Sequence, residues 1–140
     1  MVSSPATDGR QVIVGSASAQ KAFSFSIADG SLRWSTLLDG VVQGSPIIAN
    51  GVVYVNSRNS LFALDASTGA ILWRAGVYTN GFASPAVSDG IVFIGSTDGN
   101  LYAFSANGMA PAKRFPGGEL GIKPALSSLK PDLSLNATRT

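Results

Sequence analysis

The chain has 140 residues, of which 45% are hydrophobic and 13% charged, and its formal net charge is +2. This composition allows one folded domain with a sizeable core, and it is too hydrophobic for a disordered protein. The absence of Cys and His excludes a disulfide framework, a thiolate zinc site and a histidine base. No stripe of basic residues and no apolar run of ~20 residues is present, so we expect neither nucleic-acid binding nor a transmembrane segment.

Several sequence landmarks recur about every 40 residues. The segment 45–55 reads Ser-Pro-Ile-Ile-Ala-Asn-Gly-Val-Val-Tyr-Val, and it returns in 84–94 as Ser-Pro-Ala-Val-Ser-Asp-Gly-Ile-Val-Phe-Ile. The segment 30–34 anticipates 69–73 at the same offset. Self-similarity at a fixed period is the signature of a repeat architecture. The copies span roughly 4–44, 45–83 and 84–122, and a tail follows at 123–140.

Each copy contains short apolar runs separated by tight-turn signals. Eight of the sixteen glycines follow Asp or Asn, and Asx-Gly is the strongest short signal for a β-hairpin. The predicted strands lie near 45–49, 52–57, 60–64 and 70–75 in the second copy, and near 84–88, 91–96, 100–104 and 112–115 in the third. Four antiparallel strands in ~40 residues form the blade unit of a β-propeller.

The sequence therefore predicts an all-β partial propeller, a single domain over 1–140 with about three four-stranded antiparallel blades and a C-terminal tail strand. The runs 52–55 and 91–94 are continuously apolar rather than alternating. Such runs suit a sheet that is covered on both faces, as a blade is by its neighbours.

One segment of the second copy carries a family resemblance. Five residues between positions 63 and 73 match the tryptophan-docking motif: Ala63, Asp65, Thr68, Gly69 and Trp73. In these residues and their spacing the chain resembles the pyrroloquinoline-quinone-like (quinoprotein-like) β-propeller repeat family. The resemblance implies blade docking, in which the small Ala leaves room for a ring and Thr-Gly turns the chain. The Trp then buries a large area between blades while its N–H finds a backbone acceptor.

The outer copies keep parts of this motif. The first retains Gly30 and Trp34, whereas the third retains Ala103 and has no Trp after it. We expect Trp34 and Ala103 to share the blade-docking role. Because Trp73 closes the complete motif in the central copy, its removal is expected to cost more stability than removal of Trp34.

The residues argue against catalysis in this chain. Quinone-dependent dehydrogenases of this fold use an Asp base beside a calcium ion, usually beneath a disulfide of adjacent cysteines, and here Cys is absent and Glu119 is the single Glu. Ser16, Ser57 and Ser96 recur at strand ends but have no histidine base. The loop 96–100 has too few oxygen ligands for calcium. The sequence thus predicts no catalytic, cofactor-binding or metal-binding residue, and no cofactor.

The resulting functional prediction is a non-catalytic binding or scaffold module that engages a protein or envelope component. The resemblance also covers a periplasmic lipoprotein that assists outer-membrane protein assembly without chemistry. The alternative is a fragment of a quinone-dependent dehydrogenase whose catalytic blades lie outside this chain.

Three copies cannot close a ring of ~4–8 blades. We therefore expect the C-terminal part of a longer propeller, or a chain that completes a ring by self-association. The resemblance implies a periplasmic or secreted parent, although residues 1–5 do not begin a signal peptide.

Overall fold

Each repeat forms one four-stranded antiparallel sheet in the computed structural model, which describes residues 3–106 and 113–116. Blade 1 contains β1 (Ala6–Thr7), β2 (Gln11–Ser16), β3 (Lys21–Ser26) and β4 (Leu32–Leu37). Blade 2 contains β5 (Ile47–Ala49), β6 (Val52–Asn56), β7 (Ser60–Asp65) and β8 (Ile71–Gly76). Blade 3 contains β9 (Ala86–Ser88), β10 (Ile91–Gly95), β11 (Asn100–Ser105) and β12 (Lys113–Pro116). The predicted all-β class with three four-stranded blades is confirmed.

Within every blade the strands pair in sequence order, because tight turns join each strand to the next. Asn50-Gly51 has φ angles of 51° and 77°, and Asp89-Gly90 has 51° and 73°. Both residues of a type I′ turn need positive φ, which Asx-Gly adopts at low steric cost. The hairpins predicted at these two positions are therefore present.

The first strands of blades 2 and 3 are shorter than predicted. Strand β5 begins one residue after Pro46, and β9 begins one residue after Pro85. Proline has no N–H to offer a neighbouring strand, so pairing starts beyond it. The predicted tail strand at 123–140 and Glu119 lie outside the described residues.

Two apolar clusters lie between the blades. One joins Ile13, Ala22 and Trp34 of blade 1 to blade 2, and the other joins blade 2 to blade 3. In the continuous run of β6, Val53 belongs to the first cluster and Tyr54 to the second, because successive side chains point to opposite faces. Blade 2 is thus covered on both faces, as its sequence indicated.

The shortest strands lie together on one side of the molecule. Strand β1 contacts β5, and β5 contacts β9, while the fourth strands of the blades lie at the opposite side of each sheet. This is the arrangement of blades around a propeller axis. Among the described residues, no helix has the length and apolar character needed to cross a bilayer.

Candidate functional site

The indole ring of Trp34, on β4, lies between blades 1 and 2. Its Nε1 donates a hydrogen bond to the backbone oxygen of Ala66 at 2.9 Å, and the residue is 7% exposed. The hydroxyl of Thr36 donates to the backbone oxygen of Gly69 at 2.6 Å. Two side chains of blade 1 therefore bind the backbone of one turn in blade 2, while the ring buries apolar area between the sheets.

The ring of Trp73 occupies the equivalent place between blades 2 and 3. Its Nε1 donates to the backbone oxygen of Ala106 at 3.0 Å, and the hydroxyl of Tyr54 donates to the same oxygen at 3.2 Å. The Trp73 ring lies 6.0 Å, centroid to centroid, from the rings of both Tyr54 and Phe104. Blade 3 is thus held by an aromatic cluster and one shared carbonyl.

Ala66 and Ala106 supply the acceptors for these rings, and the sequence interpretation missed both. The N–H of Ala66 donates to the oxygen of Gly51, and that of Ala106 to the oxygen of Gly90, each at 2.9 Å. These bonds hold the backbone at Ala66 and Ala106 in place, next to the carbonyl groups that accept from the rings. The sequence contained a signal for this role, because Ala66 and Ala106 occupy equivalent positions in two repeats, 40 residues apart.

Ala63 and Ala103 lie at the same register position of their blades. Ala63 lies directly opposite Trp73 of its own blade, and it belongs to the same apolar cluster as Phe104 of the next. Ala103 lies opposite Lys113, and its cluster contains only residues of blade 3 among those described. The structure therefore brings Ala63 to a docking interface and places Ala103 on the far face of blade 3.

Asp65 and Thr68 hold the turn on which Trp34 packs. The Asp65 carboxylate accepts hydrogen bonds from the N–H groups of Ser67 and Thr68, at 2.8 and 2.9 Å, and from their hydroxyls. The Ser67 hydroxyl, followed by the Thr68 N–H, lowers the pKa of the Asp65 carboxyl below its ordinary value of 3.8. The ionised carboxylate thus stabilises the turn that positions Gly69.

The two tryptophans differ in burial. Trp34 is buried, whereas Trp73 is only half-buried. This difference in burial arises because each ring packs on the blade that follows it in the chain. Trp34 therefore contacts the central blade, and Trp73 contacts blade 3.

A carboxylate clamp also joins blades 1 and 2. Asp39 follows β4, and its two carboxylate oxygens accept hydrogen bonds from the buried hydroxyls of Ser57 and Ser60, the latter at 2.6 Å. The side chain of Asn59 donates to the Asp39 backbone oxygen at 3.2 Å, and Arg74 forms an ion pair with the carboxylate at 3.6 Å. The turn between β6 and β7 is thereby fixed to the preceding blade.

Two of the three strand-end serines bind segments that link blades, whereas the Ser16 hydroxyl accepts the N–H of Ala19 in its own turn. Ser57 binds Asp39, and the Ser96 hydroxyl donates to the backbone oxygen of Tyr78 at 2.8 Å. The loop 96–100 closes through a hydrogen bond from the Ser96 N–H to the Asn100 oxygen at 2.9 Å. Hydroxyl groups at these strand ends therefore connect turns to the segments that link blades.

The described carboxylates do not form a ligand set. In residues 3–106 and 113–116, no three His, Cys, Asp or Glu side chains come together. Asp39 is occupied by serine hydroxyls, and Asp65 and Asp98 are occupied by their own turns. Calcium requires 6–8 oxygen ligands, so these residues do not fit the calcium site of quinone-dependent dehydrogenases.

The segment between β8 and β9 presents aromatic side chains at the surface. Phe82 is 64% exposed and Tyr78 is 48% exposed. The segment is anchored beneath them, because the oxygen of Gly81 accepts the N–H groups of Gln43 and Gly44 at 2.9 and 2.6 Å. The buried Thr79 hydroxyl donates to the oxygen of Ser57 and accepts the N–H of Gly81. We call the exposed side chains of Tyr78 and Phe82 the connector surface.

A family model described as outer membrane protein assembly factor BamB matches residues 2–110. The chain belongs to this family. BamB of Yersinia pestis is 32% identical over 101 residues, which cover 68% of this chain and 25% of that protein. BamB of Moranella endobia is 26% identical over 105 residues, covering 71% of this chain and 27% of that protein. The chain thus spans about a quarter of the length of the curated relatives it matches.

Solved structures agree with this assignment. The crystal structure of BamB from Moraxella catarrhalis matches with a TM-score of 0.69 and 25% identity, over 81% of this chain and 36% of that one. A europium-containing methanol dehydrogenase matches with a TM-score of 0.67 and 18% identity, over 84% of this chain and 25% of that one. The second likeness shows the fold alone. The quinoprotein-like propeller family expected from the sequence is confirmed.

Proposed function

We propose that this chain is a non-catalytic, protein-binding part of a propeller scaffold that acts in outer membrane protein assembly. The names of its curated relatives describe an assembly factor. The observation that carries the proposal is the connector surface, where Tyr78 and Phe82 are exposed on an anchored segment. Aromatic side chains dominate the energetics of protein interfaces, and a surface that is already rigid loses little entropy on binding.

Rigid blade packing is the condition for this role. We propose that docking residues hold successive blades at a fixed angle: Trp34, Ala63, Asp65, Thr68, Gly69 and Trp73. We propose the same role for Ala103 toward a blade on the far face of blade 3. The carboxylate clamp and the Gly81 hydrogen bonds then fix the segments between blades. We also propose one domain with the blade boundaries given above, and a periplasmic location for the protein to which these blades belong.

The dehydrogenase alternative is less well supported. Its strongest support is the likeness to a methanol dehydrogenase, which is a likeness of fold. The described carboxylates are engaged in turns and in the clamp, and they lie too far apart to form one ligand group. A protein partner therefore suits this surface better than a quinone and a cation.

Site-specific photo-crosslinking tests the proposal. The chain, directed to the periplasm of a bacterium with an outer membrane, carries a photoreactive phenylalanine analogue at position 82. We expect an adduct that mass spectrometry identifies as a component of the outer membrane assembly machinery. A matched control places the analogue at Leu72, which is 52% exposed on β8. The same adduct from both positions, or none from position 82, would contradict the proposal.

A further inference from the structure

A cleft lies between blades 1 and 2, next to the turn on which Trp34 packs. Its volume is about 330 Å³, at the lower end of the ~300–1,000 Å³ of small-ligand sites. We call it the arginine cleft, and its charged and polar lining residues are Asp8, Arg10, Gln11, Arg33, Asp65 and Ser67. Both arginines and Ser67 are exposed, so the cleft can be reached from solvent.

A β-bulge places Arg33 at the cleft. The pairing of β3 with β4 skips Arg33, because the paired residues on either side of it are Leu32 and Trp34. Bulges re-aim a side chain and are enriched next to functional sites. The pairing of β7 with β8 skips Leu72 in the same way, and Leu72 lines the equivalent cleft between blades 2 and 3. The bulged residue therefore decides the chemistry of each cleft.

The two carboxylates of the arginine cleft are satisfied by their own turns. The Asp8 carboxylate accepts the N–H groups of Arg10 and Gln11, at 2.9 and 3.1 Å, and the side-chain amide of Gln11 at 3.0 Å. The Arg10 N–H, followed by the Gln11 side chain, lowers the pKa of the Asp8 carboxyl below its ordinary value of 3.8. Asp65 is held by the turn described above. Both carboxylates are thus ionised and engaged without a guanidinium partner.

The unused hydrogen-bonding groups of the cleft are donors. Within residues 3–106 and 113–116, neither Arg10 nor Arg33 has a side-chain hydrogen bond or a carboxylate within ion-pair distance. Each guanidinium carries five N–H donors and no acceptor. Gln11 is 3% exposed, and its Nε2 uses one N–H on Asp8, so the second N–H of this buried side chain has no acceptor in the described part of the chain. Because an unpaired buried donor is costly, a ligand that accepts hydrogen bonds would be favoured here.

We infer that the arginine cleft binds the carboxylate of an acidic side chain in a peptide. A guanidinium fork matches a planar carboxylate through two parallel N–H···O bonds. The ionised Asp8 and Asp65 in the wall repel additional negative charge, so a singly charged carboxylate suits the cleft better than a more highly charged phosphate. The small volume and exposed mouth admit one side chain from a peptide that lies outside. The inference does not rest on the proposed function, because the cleft includes neither residue of the connector surface.

The equivalent cleft between blades 2 and 3 shows that the fold does not require these donors. Val52 begins β6 as Gln11 begins β2, and Leu72 occupies the bulge position of Arg33. The donors of the arginine cleft are therefore a property of this one place in the repeat. Arg33→Leu puts into blade 1 a residue that blade 2 already accommodates at the same position, so we expect this variant to fold.

NMR titration of the isotope-labelled chain with capped tripeptides tests the inference. A tripeptide with a central glutamate should shift the side-chain amide signals of Gln11 until they saturate, whereas the same peptide with a central glutamine should not. Arg33→Leu and Arg10→Gln should each weaken binding about tenfold or more, because each removes charge-assisted hydrogen bonds. Arg58→Gln is the matched control. It removes an equal charge from the exposed turn between β6 and β7, at the other end of the strands, and should bind as the wild type does.

The other outcomes overturn the inference. The absence of a saturable shift at Gln11, or equal affinity for the glutamate and glutamine peptides, shows that the cleft binds no carboxylate. Equal weakening by Arg58→Gln shows a general attraction to positive charge. Tighter binding of inorganic phosphate or of free glutarate than of the glutamate peptide rules out an acidic peptide as the ligand. Far-UV circular dichroism checks folding, and Arg33→Gln replaces Arg33→Leu if the latter does not fold.

Discussion

Trp34 packs directly on Gly69. A β-carbon built at Gly69 would stand 2.6 Å from ring atoms Cδ2 and Cε3 of Trp34, well inside van der Waals contact. Gly69 also has a φ of +74°, which side chains rarely adopt. The Thr-Gly pair therefore serves two purposes, since it turns the chain of blade 2 and leaves room for the ring of blade 1.

Replacing Gly69 by Ala should be more damaging than replacing Gly90 by Ala. Both glycines have nearly the same φ, +74° and +73°, but nothing lies within 4 Å of a β-carbon at Gly90. The left-handed backbone costs each variant about 1–2 kcal/mol, and the collision with Trp34 adds about 1–3 kcal/mol to Gly69→Ala alone. Urea unfolding of both variants measures the difference. Equal losses of stability would show that the ring does not depend on the missing side chain.

Removal of Trp34 should cost more stability than removal of Trp73. A buried Trp replaced by Ala typically costs about 3–5 kcal/mol, and Trp73 is only half-buried. This order reverses the one expected from the sequence, because each ring docks on the following blade. Urea unfolding followed by far-UV circular dichroism compares Trp34→Ala with Trp73→Ala.

A second variant separates packing from hydrogen bonding at Trp34. Trp34→Phe keeps a ring but removes the Nε1 donor, so the carbonyl of Ala66 loses its 2.9 Å partner. Leaving a buried acceptor unpaired costs about 1–3 kcal/mol. A phenylalanine variant as stable as the wild type would mean that the indole hydrogen bond contributes little to docking.

Local sequence signals predicted the blades, whereas the contacts between blades needed the structure. The Asn50-Gly51 turn signal lies within one hairpin, and the period of about 40 residues marks one repeat. Both could be recognised from the sequence alone. The acceptor role of Ala66 depends on where the ring of another blade arrives, 32 positions away in sequence. The hydrogen bond between Ser57 and Asp39 could not be predicted either, because neither residue belongs to a sequence motif that indicates its partner.

The carboxylate clamp gives a fourth prediction. Asp39→Ala removes the acceptor of the Ser57 and Ser60 hydroxyls, and these residues are only 0% and 3% exposed. We therefore expect a loss of about 1–3 kcal/mol. Arg74→Ala is the matched control, because the Arg74 side chain is 63% exposed and its ion pair with Asp39 is long. Exposed ion pairs contribute about 0–1 kcal/mol. Equal effects of the two variants on the urea midpoint would show that the ion pair with Arg74, and not the serine hydrogen bonds, provides the stability of the clamp.

Asp98 gives the protein a contribution to stability that depends on pH. The hydroxyl of Tyr102 donates to Asp98 Oδ2 at 2.7 Å, and this bond is the main reason that the pKa of the carboxyl falls from 3.8 to about 2. Because the folded-state pKa is the lower one, the contribution is fully present above pH ~4 and is lost as the pH falls from 3.8 toward 2.

Tyr102→Phe tests this assignment, because it removes the hydroxyl and keeps the ring that stacks on Phe104 at 6.3 Å. We expect the pKa of Asp98 to rise toward 3.8, measured by NMR titration of its side-chain carboxyl carbon. Tyr54→Phe, which removes a hydroxyl bound to the Ala106 oxygen at the other end of β11, should leave the titration of Asp98 unchanged. If Asp98 still titrates near pH 2 in Tyr102→Phe, the N–H of Asn100, 3.0 Å from Asp98 Oδ1, holds the carboxylate instead.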